Sequence, residues 1–216
     1  MCGVYINRSR IIITLLQVPL LIFLFNSRPL FDVLGFSDEA AFYSEQYIYI
    51  VAPGLYLNGL NDANRRMLNC MGYQNGPMLV QMGCTILHIF WCYLFVDVFN
   101  LEVQGTGFAT VVTYFINLIA LHVYVPLFTS DRLRKEAWFL PNRACFDLKG
   151  LMEFMKLGIP SIGMQCLEWW GFELMTLFSA WISMEATAAQ IITLNTAVIA
   201  FMPILGIHYA SSVVIG

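Results

Sequence analysis

The stretch Cys166-Leu167-Glu168-Trp169-Trp170-Gly171-Phe172-Glu173 puts two carboxylates and two indoles into a segment, Gly158 to Met184, that holds no other charged residue. On a helix, Glu168 stands ten residues past Gly158, roughly 15 Å along the axis and near the middle of a ~30 Å hydrocarbon layer. An acidic residue facing lipid at that depth costs about 2.5–3.5 kcal/mol, so two on one segment must face protein or water. Five residues of separation amounts to about 140° of rotation, a broad shared side rather than a single line, which suits two separate acceptors better than a coupled dyad. A carboxylate withdrawn from water can trade its charge for a proton, and this is the chemistry of proton coupling or cation binding. An aromatic face can hold an organic cation, which gives Trp169 and Trp170 a part in the same cavity. The alternatives are that a glutamate hydrogen-bonds a neighbouring helix and that the tryptophans pack or sit at an interface.

Other polar residues in apolar surroundings carry weaker signals. Gln190 and Asn195, in the last apolar segment, are neutral groups that line a path or join helices. Asn58, Asn61 and Arg65 recur at helical spacing beside Asp62 and read as an interface turn. His88, His122 and His208 lack acidic partners at helical spacing and read as helix–helix hydrogen bonders. The six cysteines have no metal-ligand spacing, so buried free thiols are expected, with no metal and no cofactor. Pro19, Pro53 and Pro203 fall inside apolar segments, where each removes a backbone bond and bends a helix.

The elements that must position these groups follow from composition. Of the residues, 59% are hydrophobic and 12% charged, about half the charge of a soluble domain. Apolar runs at about 11–26, 43–64, 77–97, 106–128, 151–182 and 188–215 predict six transmembrane helices in an all-α, polytopic membrane bundle. The net charge of −3 leaves no basic surface for nucleic acid; the lipid bilayer is the partner. The polar stretch Thr129–Gly150 is the boundary, dividing residues 1–128 (four helices) from 151–216 (two helices), with 129–150 as a linker. With the N-terminus inside, ten of the eleven Lys and Arg residues fall on the cytoplasmic side and only Arg28 outside, so both termini are expected in the cytoplasm and Cys145 in a cytoplasmic linker.

Several of these stretches carry a resemblance. Ile159-Pro160-Ser161, then Met164 to Glu173, resembles the seventh helix of the eukaryotic multidrug and toxic compound extrusion (MATE) family. Ala189-Gln190-Ile191, Asn195, Met202-Pro203 and Ala210-Ser211-Ser212-Val213 resemble its eighth. Upstream, Ala52-Pro53-Gly54, Gln74-Asn75-Gly76-Pro77 and Gly105-Thr106-Gly107-Phe108-Ala109 match its fourth to sixth helices in order and spacing. The resemblance implies a secondary active exporter of organic cations and other drug-like xenobiotics, driven by protons or sodium. Glu168 and Glu173 would serve coupling and substrate recognition. The family's fold has twelve helices in two six-helix lobes related by an axis along the membrane normal. This chain resembles helices three to eight only, which implies a partial two-lobe fold, a linker at the lobe junction and a protein cut short at both ends. Animal members carry a further glutamate where this chain has Asn195.

Three functional classes follow. The first is an antiporter of this family, or a fragment of one that does not transport alone and looks for a second copy, a homodimer, to close its cavity. The second is an oligomeric ion channel, with the two acids forming charged rings. The third is an intramembrane enzyme, for which the sequence offers no Gly-x-Gly-Asp pair, His-Glu-x-x-His helix or Gly-x-Ser-x-Gly elbow.

Overall fold

A computed structural model of the chain describes residues 2–139, 141 and 143–215. Every regular element among them is helical: α1 (Cys2–Phe25), α2 (Arg28–Leu34), α3 (Asp38–Cys70), α4 (Asn75–Cys92) running into a π-helical turn (Tyr93–Val98), α5 (Glu102–Phe128), α6 (Asp131–Ala137), a 3-10 turn (Arg143–Phe146), α7 (Leu148–Ile182) and α8 (Met184–Ile215). The six apolar segments fall in α1, α3, α4 with its π turn, α5, α7 and α8. By length and composition, four helical stretches can cross a membrane: Gly3–Phe25, Asn75–Val98, Glu102–Phe128 and Met184–His208. The polar ends of α3 and the two glutamates of α7 keep those helices below the same apolarity.

Local chemistry sets the helix ends. Ser37 opens α3 by accepting a hydrogen bond from the Ala40 N–H (3.3 Å), with Asp38 and Glu39 in the first turn against the positive end of the dipole. Pro29 starts α2, and Gly35, at φ 77°, ends it in the left-handed conformation that costs glycine nothing. Short α2 and α6 lie in stretches read from sequence as connections. Ser130 caps α6 through the Leu133 N–H (3.3 Å).

The chain packs as two units, residues 1–147 and 148–216. In the first, α3 and α5 form the central seam, with α1 on the outer side of α3 and α4 on the outer side of α5. Small residues let the central helices approach closely: a Cβ at Gly54 would stand 2.9 Å from Val111 Cγ2, and one at Gly107 would stand 3.1 Å from Ile50 Cγ2. Polar pairs tie the helices together. Gln104 donates to Gln46 (2.8 Å), Asn117 to Gln81 (2.7 Å) and Gln17 to the Ala52 carbonyl (3.3 Å), while His88 Nδ1 meets Thr113 Oγ1 (2.8 Å) across α4 and α5. His88 thus bonds between helices as expected, whereas His122 spends its bond on Leu118 O in its own helix (2.8 Å).

The apolar core gathers at one end of this unit, where Ile6, Ala63, Met67, Leu68, Leu121, Val125 and Leu133 are buried together. The segment after α5 is strapped across that end. Leu133 enters the core, Asn7 donates to Phe139 O (2.9 Å), and Arg8 donates to Ala144 O (3.4 Å). Arg8, Arg10, Arg65, Arg66 and Arg134 lie on the elements of this end, while Arg28 stands at the α1–α2 junction among Asp32, Asp38 and Glu45. The Asn61–Arg65 turn is an ion-pair cluster, with Asp62 between Arg65 (2.5 Å) and Arg66 (2.6 Å). One thiol departs from the expected burial and another meets it. Cys70, at the end of α3, is exposed because the helix runs past its packed stretch, and Cys145 is fully buried because the strap folds it inward.

The close seam yields a measurable contrast. Gly54→Val is expected to push α3 off α5 and destabilise by roughly 1–3 kcal/mol, read as a lower thermal unfolding midpoint in detergent. Gly83→Val, whose new side chain would meet nothing within 4 Å, should unfold close to the parent.

Candidate functional site

All six candidate residues lie in the second unit, a hairpin in which α7 and α8 pack on each other through the one-residue joint Ser183. Ser183 belongs to both ends: its N–H bonds the Ser179 carbonyl (3.2 Å), and its hydroxyl accepts from the Ala186 N–H (3.1 Å), capping α8. Heights on the hairpin therefore follow from counting away from Ser183 at 1.5 Å per residue. Glu173 stands about 15 Å from the joint, Glu168 about 22 Å, Gln190 about 10 Å and Asn195 about 18 Å. Asn195 is level with the gap between the two glutamates.

The side chains are not enclosed within the unit. Glu168, Glu173 and Asn195 are exposed and Gln190 is half-buried. Trp170 is 61% and Trp169 43% exposed, and Trp169 meets Phe172 edge-on at 6.3 Å. Among the described residues, neither carboxylate accepts a hydrogen bond or joins an ion pair. The hairpin brings the six residues into one band of its length without joining any of them by a hydrogen bond. Met164, Leu167 and Leu174 on either side of them are exposed as well, so the acids interrupt an apolar surface. Their arrangement can bind a proton or a cation at either of two independent positions. The described residues contain no group of His, Cys, Asp and Glu able to hold a metal. A groove along α5, lined by Leu118, Ile119, His122, Val123, Pro126 and Leu127, belongs to the other unit and contains no carboxylate.

Sequence reasoning passed over the polar network at the end of the first unit. There, Asn7 and Asn64 are buried and hold Arg10 between them. A signal was available: Arg10 follows Asn7 by three positions, and Asn64 precedes Arg65 on a helix already marked by polar spacing.

Comparison with known proteins decides the family. The MatE family model matches residues 1–94 and 160–216, and the second stretch includes every candidate residue. The chain belongs to the MatE family. Similar MatE-related proteins include Multidrug and toxin extrusion protein 1 of Xenopus tropicalis, 27% identical over 99% of this chain and 36% of that protein. Protein DETOXIFICATION 16 of Arabidopsis thaliana is 29% identical over 98% of this chain and 43% of its own length, and Protein DETOXIFICATION 15 is 32% identical over 83% and 36%. The chain thus spans well under half the length of these relatives. The crystal structure of the eukaryotic MATE transporter AtDTX14 matches 90% of this chain and 43% of its own, with a TM-score of 0.77 at 23% identity, which shows that the fold is MATE-like.

Because neither glutamate has a partner among the described residues, Glu168→Gln and Glu173→Gln should each leave the fold intact, changing stability by less than about 0.5 kcal/mol. Thermal unfolding in detergent checks this. A drop of several degrees in either variant would assign that acid a structural bond instead.

Proposed function

We propose that this chain forms part of a secondary active exporter of organic cations and drug-like xenobiotics, an antiporter coupled to protons or sodium and not an enzyme. In this reading all six long helices span the bilayer, residues 1–128 belong to one lobe and 151–216 begin the other, and 129–150 link the two on the cytoplasmic side. Glu168 and Glu173 take the coupling ion and the cation alternately. Trp169 and Trp170 offer faces to the cation, and Gln190 and Asn195 supply neutral polar groups at the same height on α8.

The observation that carries the reading is the pair of carboxylates, unpartnered among the described residues, in the otherwise uncharged stretch from Gly158 to Met184, inside a region matched by the MatE model. An acid with a structural job would be bonded to a neighbour within its own unit, as the buried amides of the first unit are. An acid that must release what it binds gains from having no fixed partner. The relatives are named for multidrug and toxin extrusion.

The test grafts the chain into DETOXIFICATION 16 in place of the matching stretch and measures pH-gradient-driven exchange of an organic cation in vesicles. Glu168→Gln and Glu173→Gln should each bring exchange down to the no-gradient background with normal insertion. Unaltered rates in both variants would remove the acids from the mechanism.

Orientation has its own check. With Cys70 as the sole thiol, an impermeant maleimide should label it only after the cells are permeabilised, because Cys70 is exposed and this reading puts the end of α3 in the cytoplasm. Labelling in intact cells would invert the topology.

A further inference from the structure

Among the arginines of the first unit whose side chains are described, one at the strapped end differs from the rest. Arg8, Arg28, Arg65, Arg66 and Arg134 each meet a carboxylate. Arg10 meets none among the described residues. Its Nε and Nη2 donate to Asn64 Oδ1 (3.2 and 2.6 Å), its Nη1 donates to Asn7 Oδ1 (3.1 Å), and its guanidinium carbon lies 5.0 Å from the centre of the Trp138 ring. These partners position the charge without neutralising it.

Counting donors shows what is missing. A guanidinium has five N–H groups. Three are engaged, leaving one on each of Nη1 and Nη2, the end of the planar fork that takes two oxygens of a phosphate. Asn64 adds to the imbalance. It is 1% exposed, its oxygen is spent on Arg10, and its Nδ2 has no acceptor although it belongs to the same carboxamide. The Asn7 Nδ2 is already committed to Gly3 O and Phe139 O (both 2.9 Å). The cluster thus holds a net positive charge and donors in excess of acceptors, a condition that an oxyanion relieves.

We infer that Arg10 and Asn64 form a seat for the phosphate of an anionic phospholipid headgroup. A lipid source fits the surroundings. The next turns of α1 expose Leu15, Leu16 and Val18, so below the level of Arg10 the helix offers apolar side chains to the acyl region of a bilayer. Trp138 caps the site with the kind of side chain that settles at a membrane interface. Neighbouring Arg8 and Lys135 belong to the cationic end of the unit, which draws anionic lipids toward it. The inference concerns binding alone, so its failure leaves the transport reading standing, and the reverse holds too.

The experiment reconstitutes the whole chain in phosphatidylcholine vesicles with or without a minor fraction of phosphatidic acid. It measures phosphatidic acid retained on the protein after detergent extraction, by native mass spectrometry, together with the thermal unfolding midpoint. The parent should retain phosphatidic acid and unfold at a higher midpoint in its presence. Asn64→Asp keeps the shape of the side chain and gives Arg10 a carboxylate of its own. Retention should then fall at least about tenfold, the loss expected when a forked, charge-assisted contact is taken up internally. Its midpoint in phosphatidylcholine alone should stay or rise, which separates lost binding from lost folding. Arg10→Gln should lower retention to the same level. Parent-like retention by Asn64→Asp overturns the proposal. So does a midpoint shift from inorganic phosphate as large as that from phosphatidic acid, since the seat would then belong to a free anion.

Discussion

A hydrogen-bonding group held in an apolar medium without a partner costs several kcal/mol, and the first unit answers that constraint one helix pair at a time. Gln104 with Gln46 joins α5 to α3, Asn117 with Gln81 and His88 with Thr113 join α5 to α4, and Gln17 reaches from α1 to the backbone of α3. Each bond needs its helices at contact distance, and for Gln104 with Gln46 the glycines of the α3–α5 seam provide that distance. Packing and polar satisfaction are therefore one arrangement seen from two sides. The core of buried aliphatic residues can then be small and confined to one end.

The second unit follows the opposite rule. α7 and α8 bury almost nothing against each other; their hydroxyls bond to carbonyls of their own helix, while among the described residues the side chains of Glu168, Glu173, Gln190 and Asn195 make no hydrogen bond. Amides of the first unit pair across helices, whereas among the described residues the carboxylates of Glu168 and Glu173 have no partner within the second.

The apolar runs located the long helices because a span needs some twenty apolar residues, and such runs survive any ambiguity about their ends. The ends themselves were less legible. α3 continues through Asn69 and Cys70, and α4 passes into a π turn, since capping and neighbouring helices override local polarity. The linker was read by its composition as polar. Its few large residues, Leu133 and Trp138, nevertheless pack, and the burial of Cys145 depends on contacts distant in sequence. Glu168 and Glu173 stood out as lone charges in an apolar run. Arg10 did not, because an arginine near a chain start reads as a topology signal and its missing counter-charge becomes visible only when Asn7, Asn64 and Trp138 are assembled around it.

The π turn at Tyr93–Val98 bears on which changes of length this chain tolerates. Its ring closes one residue later than an α-helical ring, as in the bond from Phe99 N to Leu94 O (3.0 Å), so it stores a single surplus residue. Elsewhere in a span, deleting one codon rotates everything downstream by about 100° and turns lipid-facing side chains inward. Within 93–98 the same deletion returns the helix to its ordinary repeat and keeps the phase of the preceding turns. The contacts of Phe95 with Gly105, with the Leu101 N–H and with the Phe108 ring would need to readjust. In α4 this turn is the place where an in-frame loss can be absorbed, and where past gains of one residue would have been retained.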